Sequence, residues 1–185
     1  MEALDVAVVV AVQDAGRAKS RLGAHLDPGQ RHSLVQAMLD DLLTAVREVH
    51  AGQIVVVSPV RGYDAVAHEH GAEVLRDPGT GYLPAVMLGL AHVAGSGAAL
   101  VLPGDLPQAR SEDVAALLEA LADAAVVLAP SVDGGTCALG LRPPDETAVA
   151  RTTAAFFAAR DAALLPFDDV EETVGALLER GLTLV

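Results

Sequence analysis

The stretch VAVVVAVQDAGRAKSRL, from Val6 to Leu22, decides the fold class of this chain. It opens with an apolar run from Val6 to Val12 and continues into a polar loop, Gln13 to Ala18, that contains Gly16. An apolar run of this length between turn signals predicts a strand buried on both faces, as in a parallel sheet. In such sheets ligands bind where the chain leaves the carboxyl end of a strand. The sequence therefore predicts a ligand site directly after its first strand.

Three adjacent polar side chains, Lys19, Ser20 and Arg21, follow this loop. Two cations and a hydroxyl group are suited to the phosphates of a nucleotide. A lysine is otherwise most simply a solvated surface residue, and the residues alone leave both interpretations open. The pattern GxxxxGK[ST] is absent, which excludes a P-loop.

Composition and charge narrow the class of protein. A chain of 185 residues predicts one domain, 1–185, with a core of aliphatic side chains. Its formal net charge of −13 argues against nucleic acid and anionic membranes as partners, since both would repel it. The single cysteine excludes an internal disulfide. Neither a secretory signal nor an apolar run long enough to span a bilayer is found, so a cytoplasmic protein is expected.

Strand and helix signals alternate along the chain, which predicts a three-layer, Rossmann-like α/β sandwich with a mostly parallel sheet. The later strands are predicted at Ile54–Ser58, Glu73–Arg76, Ala98–Leu102, Ala125–Ala129, Cys137–Leu141 and, as an edge strand, Leu182–Val185. Helices are predicted at Pro28–Val49, Tyr63–His70, Leu83–Val93, Ser111–Leu121, 145–163 and Asp168–Gly181. Asp27, Ser111 and Asp168 are the predicted helix caps. The motif GxGxxG is missing after the first strand, which argues against a dinucleotide-binding enzyme.

Asp105, within the segment PGDLP, is the strongest single candidate for chemistry. A carboxylate at the carboxyl end of a buried strand is well placed to hold Mg²⁺ against phosphate oxygens. The alternative is a turn or helix-cap residue. We expect Ser111 to cap the next helix, which favours the functional interpretation of Asp105.

Two further groups have both a functional and a structural interpretation. Gly134, Gly135 and Thr136 combine accessible backbone N–H groups with a hydroxyl, which suits an anion, although the same pattern is common in ordinary turns. Asp168 is either a second metal ligand or the cap of the last helix.

Taken together, these segments resemble a known family. AVQDAGRAKSRL, LPGDLP and GGTCAL, in this order within residues 5–141, are similar to the 2-phospholactate/phosphoenolpyruvate guanylyltransferases of coenzyme F-420 biosynthesis. The resemblance implies a nucleotidyltransferase fold of the nucleotide-diphospho-sugar transferase type. It also implies transfer of GMP from GTP to 2-phospholactate, phosphoenolpyruvate or 3-phosphoglycerate, with release of pyrophosphate. A homodimer is compatible with this resemblance.

The resemblance also implies roles for the matching residues. Lys19, Arg21 and Asp105 would be catalytic, and Asp105 and Asp168 would hold Mg²⁺. The residues expected to bind the nucleotide are Val12, Gln13, Arg17, Lys19, Ser20, Arg21 and Gly104. Those expected to bind the acceptor are Gly134, Gly135, Thr136 and Thr152.

The chain also departs from the family pattern. Gln13 stands where the family usually has a lysine, although the Arg17 guanidinium is long enough to reach the same phosphates. Near residues 151–159, Ala155 and Ala159 replace the usual serine and histidine. These changes remove charge-assisted hydrogen bonds. They leave two interpretations open: a different acceptor, or a catalytically impaired homologue that binds a nucleotide or a protein partner. Another nucleotidyl- or glycosyltransferase, which uses another nucleotide or a sugar nucleotide, is a separate alternative.

Overall fold

The computed structural model describes residues 4–18, 25–106, 108–130, 136–144 and 182–184. Its strands are β1 (Val6–Ala11), β2 (Ile54–Ser58), β3 (Glu73–Arg76), β4 (Ala98–Pro103), β5 (Val126–Pro130), β6 (Thr136–Leu141) and β7 (Leu182–Leu184). The helices are α1 (Ala15–Ala18), α2 (Pro28–Val49), α3 (Asp64–Glu69), α4 (Tyr82–His92) and α5 (Ser111–Asp123). The predicted helices at 145–163 and Asp168–Gly181 lie outside the described residues.

The strands form one sheet in the order β3-β2-β1-β4-β6-β5-β7. The pairs β1–β2, β1–β4, β2–β3 and β5–β7 are parallel. Strand β6 runs antiparallel to both of its neighbours, β4 and β5. The sheet is therefore mostly parallel, as the sequence predicts, and it becomes mixed toward one side.

Strand β1 is buried on both faces because its side chains alternate between two apolar cores. Val6, Val8 and Val10 belong to the core that contains most of the buried residues of α2 and those of α5. Val9 belongs to the opposite core, which contains those of α4. With helices on both faces, the sheet is the middle of three layers, and the predicted fold class is confirmed.

Gly89 lets α4 approach the sheet closely. A Cβ at this position would lie 2.4 Å from Cγ1 of Val9 and 3.0 Å from Cγ2 of Val57. Atoms in a packed core do not tolerate such separations, so a side chain here would move the helix away. This contact fixes the height of α4 above β1 and β2, and so positions the residues at its amino-terminal end.

The amino-terminal ends of two helices test the predicted caps. At α2, Asp27 accepts a hydrogen bond from the Gln30 amide and its own amide donates to Oε1 of Gln30, both at 2.9 Å, which confirms the predicted capping box. At α5, the prediction that Ser111 is the cap is wrong, because Arg110 occupies that position. The Arg110 amide donates to Oδ2 of Asp113 at 3.0 Å, so the aspartate satisfies the free N–H group.

The predicted loop from Gln13 to Ala18 contains a short helix, α1, and is therefore partly wrong. Oδ1 of Asp14 accepts a hydrogen bond from the Gly16 amide at 2.6 Å. An aspartate in this position stabilises a first helical turn, and the two alanines of α1 favour the helical conformation. The polar residues after β1 are therefore held by local hydrogen bonding rather than by an irregular loop.

Candidate active site

The site lies between β1 and β4, where the order of the strands in the sheet reverses relative to their order in the chain. From β1 the chain passes to β2 and β3 on one side, and then returns to β4 on the other side of β1. Connections after β1 and β4 therefore leave the sheet in opposite directions, which opens a crevice at their carboxyl ends. The Gly104 amide donates to the Ala11 carbonyl at 2.9 Å and holds these two ends together.

Two adjoining cavities occupy this crevice and share the wall formed by Ala11, Val12 and Gln13. The first, which we call the Asp105 cavity, has a volume of about 320 Å³. Its other lining residues are Val35, Tyr82, Pro103, Gly104 and Asp105. The second, which we call the Asp77 cavity, has a volume of about 420 Å³. Its other lining residues are Asp14, Gly16, Pro59, Asp77, Gly79, Gly81 and Ala85.

The Asp105 cavity presents one carboxylate at the end of a buried strand. Asp105 is half-buried and follows β4 by two residues. Oxygen donors of this kind suit Mg²⁺, which binds one or two protein carboxylates and completes its coordination with water and substrate phosphates. Among the described residues, no group of three or more metal-ligating side chains is present. The one carboxylate that lines this cavity fits a divalent-metal site that substrate phosphates would complete, and Asp168 lies outside the described residues.

Gly104 and Val12, both predicted to bind the nucleotide, lie in contact in the wall of the Asp105 cavity. A Cβ on Gly104 would lie 2.5 Å from Cγ2 of Val12 and 3.3 Å from its Cα. The glycine is thus required by the close approach of two strand ends. The sequence singled out Gly104 as a candidate nucleotide-binding residue, and the structure shows that close packing against Val12 also requires a glycine there.

The Asp77 cavity contains a carboxylate that sequence reasoning did not identify as a site residue. Asp77 follows β3 and is 6% exposed. It reaches the crevice because β3, β2 and β1 are neighbours in the sheet, so the turn after β3 lies beside the loop after β1. The signal available in the sequence was an aspartate directly after a strand, the same signal that identified Asp105.

Tyr82, the first residue of α4, was also missed by sequence reasoning. Its side chain lines the Asp105 cavity and is half-buried. Burial, reinforced by the negative charge of Asp105, raises the pKa of Tyr82 well above its ordinary value. Burial also raises the pKa of Tyr63, which lies beneath α2 and stacks on the His32 ring. Both hydroxyl groups therefore remain protonated in the folded protein at neutral and moderately alkaline pH.

These two tyrosines predict a loss of stability in alkali. Above pH about 10, the tyrosines of an unfolded chain ionise, whereas both folded hydroxyls keep their protons. Unfolding then releases protons, so the contribution of these two tyrosines to the free energy of unfolding is constant below about pH 10 and falls as the pH rises further. Because the chain has 2 tyrosines and no tryptophan, tyrosinate absorbance reports on these two groups alone. It should appear above the ordinary pKa of tyrosine, and the Tyr82 part of it should appear together with the loss of circular dichroism.

The matched variant for this titration is Tyr82→Phe. It should halve the tyrosinate signal and weaken the alkaline loss of stability. Tyrosinate absorbance that rises near the ordinary pKa of tyrosine while the protein stays folded would contradict the assignment.

The remaining predicted site residues fall into four groups. Gln13 is half-buried at the junction of the two cavities. Thr136 begins β6, and because β6 is antiparallel to β4, it lies at the sheet edge where β4 ends. Arg17 belongs to α1. Outside the described residues are Lys19, Ser20, Arg21, Gly134, Gly135 and Thr152.

Within the described part of the chain, no helix has the length and apolarity that crossing a membrane requires.

Comparison with known proteins gives a consistent result. A family model described as "Guanylyl transferase CofC like" matches residues 6–164. A phosphoenolpyruvate guanylyltransferase of Sphaerobacter thermophilus is 40% identical over 143 residues, which are 74% of this chain and 68% of that protein. A 3-phospho-D-glycerate guanylyltransferase of Phenylobacterium zucineum is 39% identical over 142 residues, 72% of this chain and 65% of that protein.

A solved structure supports the fold. The 4-diphosphocytidyl-2C-methyl-D-erythritol synthase of Anaerococcus prevotii has a TM-score of 0.59, although the two sequences are 12% identical. The alignment covers 99% of this chain and 87% of that one. At this identity the likeness concerns the fold alone, and it agrees with the predicted nucleotidyltransferase type.

Proposed function

The chain belongs to the family of CofC-like guanylyl transferases, and from this premise we propose that it transfers GMP from GTP to a small phosphorylated carboxylic acid. The acceptors that this proposal covers are 2-phospholactate, phosphoenolpyruvate and 3-phosphoglycerate. Two of them are the substrates named for its relatives. The cofactor would be Mg²⁺, and the second product would be pyrophosphate.

The observation that carries the proposal is the pair of adjoining cavities. In a transfer of this kind the nucleotide and the acceptor must bind side by side, so that the acceptor can reach the α-phosphorus of the nucleotide. The two cavities share only the wall from Ala11 to Gln13, and their volumes of about 320 and 420 Å³ suit small ligands. The proposal assigns the nucleoside to the Asp77 cavity and the acceptor side to the Asp105 cavity.

The reaction then consists mainly of positioning. A phosphate oxygen of the acceptor attacks the α-phosphorus of GTP, a new P–O bond forms, and the bond to the β-phosphate oxygen breaks as pyrophosphate leaves. In such transfers the protein contributes orientation and charge stabilisation rather than covalent chemistry. Since the protein is strongly acidic, local positive charge must offset its repulsion of both anionic substrates.

Each candidate residue has a distinct part in this scheme. Asp105 would hold Mg²⁺, which supplies positive charge to the phosphate oxygens when it is bound. Gln13 lies at the junction of the cavities, where its neutral amide can donate to a phosphate oxygen. Lys19 and Arg21 would bind the phosphates of GTP. Thr136, with Gly134, Gly135 and Thr152, would bind the acceptor.

Acceptor-dependent release of pyrophosphate tests the proposal. Purified protein would be mixed with GTP and Mg²⁺, and each of the three phosphorylated acids would be offered singly. We expect release with one or more of them and none without an acceptor. Failure of all three acceptors, with protein that melts cooperatively and binds GTP, would contradict the proposal and favour a binding module instead.

A further inference from the structure

Asp77 carries a carboxylate that the fold buries beside a cavity. In the described part of the chain, Asp77 and Ser58 are the buried polar or charged residues. A carboxylate removed from water is costly unless hydrogen bonds or an opposite charge compensate it. The surroundings of Asp77 therefore need to be accounted for.

No cation compensates Asp77 within the described residues. The neighbouring Arg76 is directed elsewhere: its Nη2 lies 2.6 and 2.7 Å from the two carboxylate oxygens of Asp64. Its Nη1 donates to the Ser58 carbonyl at 3.0 Å. The guanidinium closest in sequence thus stabilises α3 against β3 and does not pair with Asp77.

A turn hydrogen bond explains only one oxygen of Asp77. Oδ1 accepts from the Gly79 amide, while the described residues provide no hydrogen bond to Oδ2. An asparagine would make the same turn contact without a negative charge. The charge is therefore available to a ligand in the cavity that Asp77 lines.

The walls of the Asp77 cavity leave room for a flat ring. Gly79 and Gly81 have φ values of +72° and +138°, and both line the cavity without a side chain. Pro59 and Ala85 supply compact apolar surface. A slot with apolar faces and one carboxylate suits an aromatic base that carries hydrogen-bond donors on its edge.

We propose that Asp77 selects guanine, by accepting hydrogen bonds from N1–H and from the exocyclic amino group of the base. These two donors are adjacent on the guanine ring, so one carboxylate can accept from both. Adenine has an acceptor at N1 beside its exocyclic amino group, so it does not offer two adjacent donors to a carboxylate. Xanthine carries a carbonyl oxygen in place of the amino group, which a carboxylate would repel. The inference rests on the proposed function, because that function identifies the ligand as a purine nucleotide.

The test measures binding of GTP, ITP, ATP and XTP with Mg²⁺ and without an acceptor, by calorimetry, to the wild type and to Asp77→Asn. The wild type should bind GTP about ten- to a hundredfold more tightly than ATP, a range typical of a bidentate base contact. ITP, which lacks the amino group, should bind more weakly than GTP. In Asp77→Asn the order of affinity should reverse, so that XTP binds more tightly than GTP. The asparagine side chain can donate to the xanthine carbonyl and still accept from N1–H.

The control is Asp41→Asn, which replaces an exposed aspartate of α2 outside both cavities. It should bind all four nucleotides as the wild type does. An Asp77→Asn protein that keeps the wild-type order of GTP and XTP would overturn the inference. If Asp77→Asn fails to fold, the wild-type measurements still test the inference. Equal affinity of the wild type for GTP and ITP would overturn it.

Binding without an acceptor separates this inference from the proposed function. A reversed preference combined with no pyrophosphate release would refute the transfer reaction and leave the assignment of Asp77 intact. Acceptor-dependent release with an unchanged preference would refute the assignment alone. A wild type that binds none of the four nucleotides would overturn the inference, whatever the transfer assay gives.

Discussion

Replacement of Asp105 by asparagine is expected to lower the rate of guanylyl transfer by about a hundredfold or more, which corresponds to roughly 3 kcal/mol of transition-state stabilisation. The variant keeps the volume and turn-forming ability of the residue but removes the charge that would hold Mg²⁺. Because Asp105 is half-buried at the end of β4 and not in the core, the melting temperature should change little.

The measurement is the rate of pyrophosphate release at saturating GTP and acceptor, over a series of Mg²⁺ concentrations. Asp105→Asn should need more Mg²⁺ than the wild type to reach its own maximal rate. Asp123→Asn, an exposed position at the end of α5, is the control and should retain full activity. Wild-type activity and an unchanged Mg²⁺ requirement in Asp105→Asn would show that another group holds the metal.

Replacement of Gly104 by alanine should damage both stability and activity. The added Cβ would lie 2.5 Å from Cγ2 of Val12, in a wall where the neighbouring backbone leaves no free space. Overpacking of this kind costs about 1–3 kcal/mol of unfolding free energy. It also separates the ends of β1 and β4, and a displacement of about 1 Å in an active site can cost roughly a hundredfold in rate.

Chemical denaturation and pyrophosphate release measure the two effects of Gly104→Ala separately. Gly95→Ala is the matched control, because a Cβ there would have no heavy atom within 4 Å. Adding Val12→Ala to Gly104→Ala removes the clashing methyl groups and should restore part of the stability. Unchanged stability and activity in Gly104→Ala would contradict the close approach of the two strand ends.

The elements that the sequence predicts best are those with a continuous apolar pattern. Strands β2 and β3 begin and end as predicted, and so does α2, whose capping box is explicit in Asp27 and Gln30. The short helix α1 was predicted as loop, because the Asp14 hydrogen bond that stabilises it competes with an ordinary turn. The cap of α5 was misassigned because the helix already begins at Ser111, so the cap position falls on Arg110, whose amide donates to Asp113.

The candidate site was predicted where the signal lies in one segment and was missed where it depends on the topology. Gln13, Gly104 and Asp105 follow the first and fourth strands directly, and the structure brings them to one crevice. Asp77 and Tyr82 reach that crevice only because β3 and α4 lie beside the loop after β1. No local pattern encodes the strand order that makes them neighbours.

The central claim is that the α-phosphate of GTP becomes bonded to the acceptor phosphate. It is tested most directly with GTP labelled at the α-phosphorus, Mg²⁺ and one phosphorylated acid, followed by separation and mass analysis of the labelled product. The account predicts that the label appears in a compound of GMP joined through its phosphate to the acid, in amounts equal to the pyrophosphate released. Label found only in free GMP, or remaining entirely in GTP with every acceptor, would contradict it.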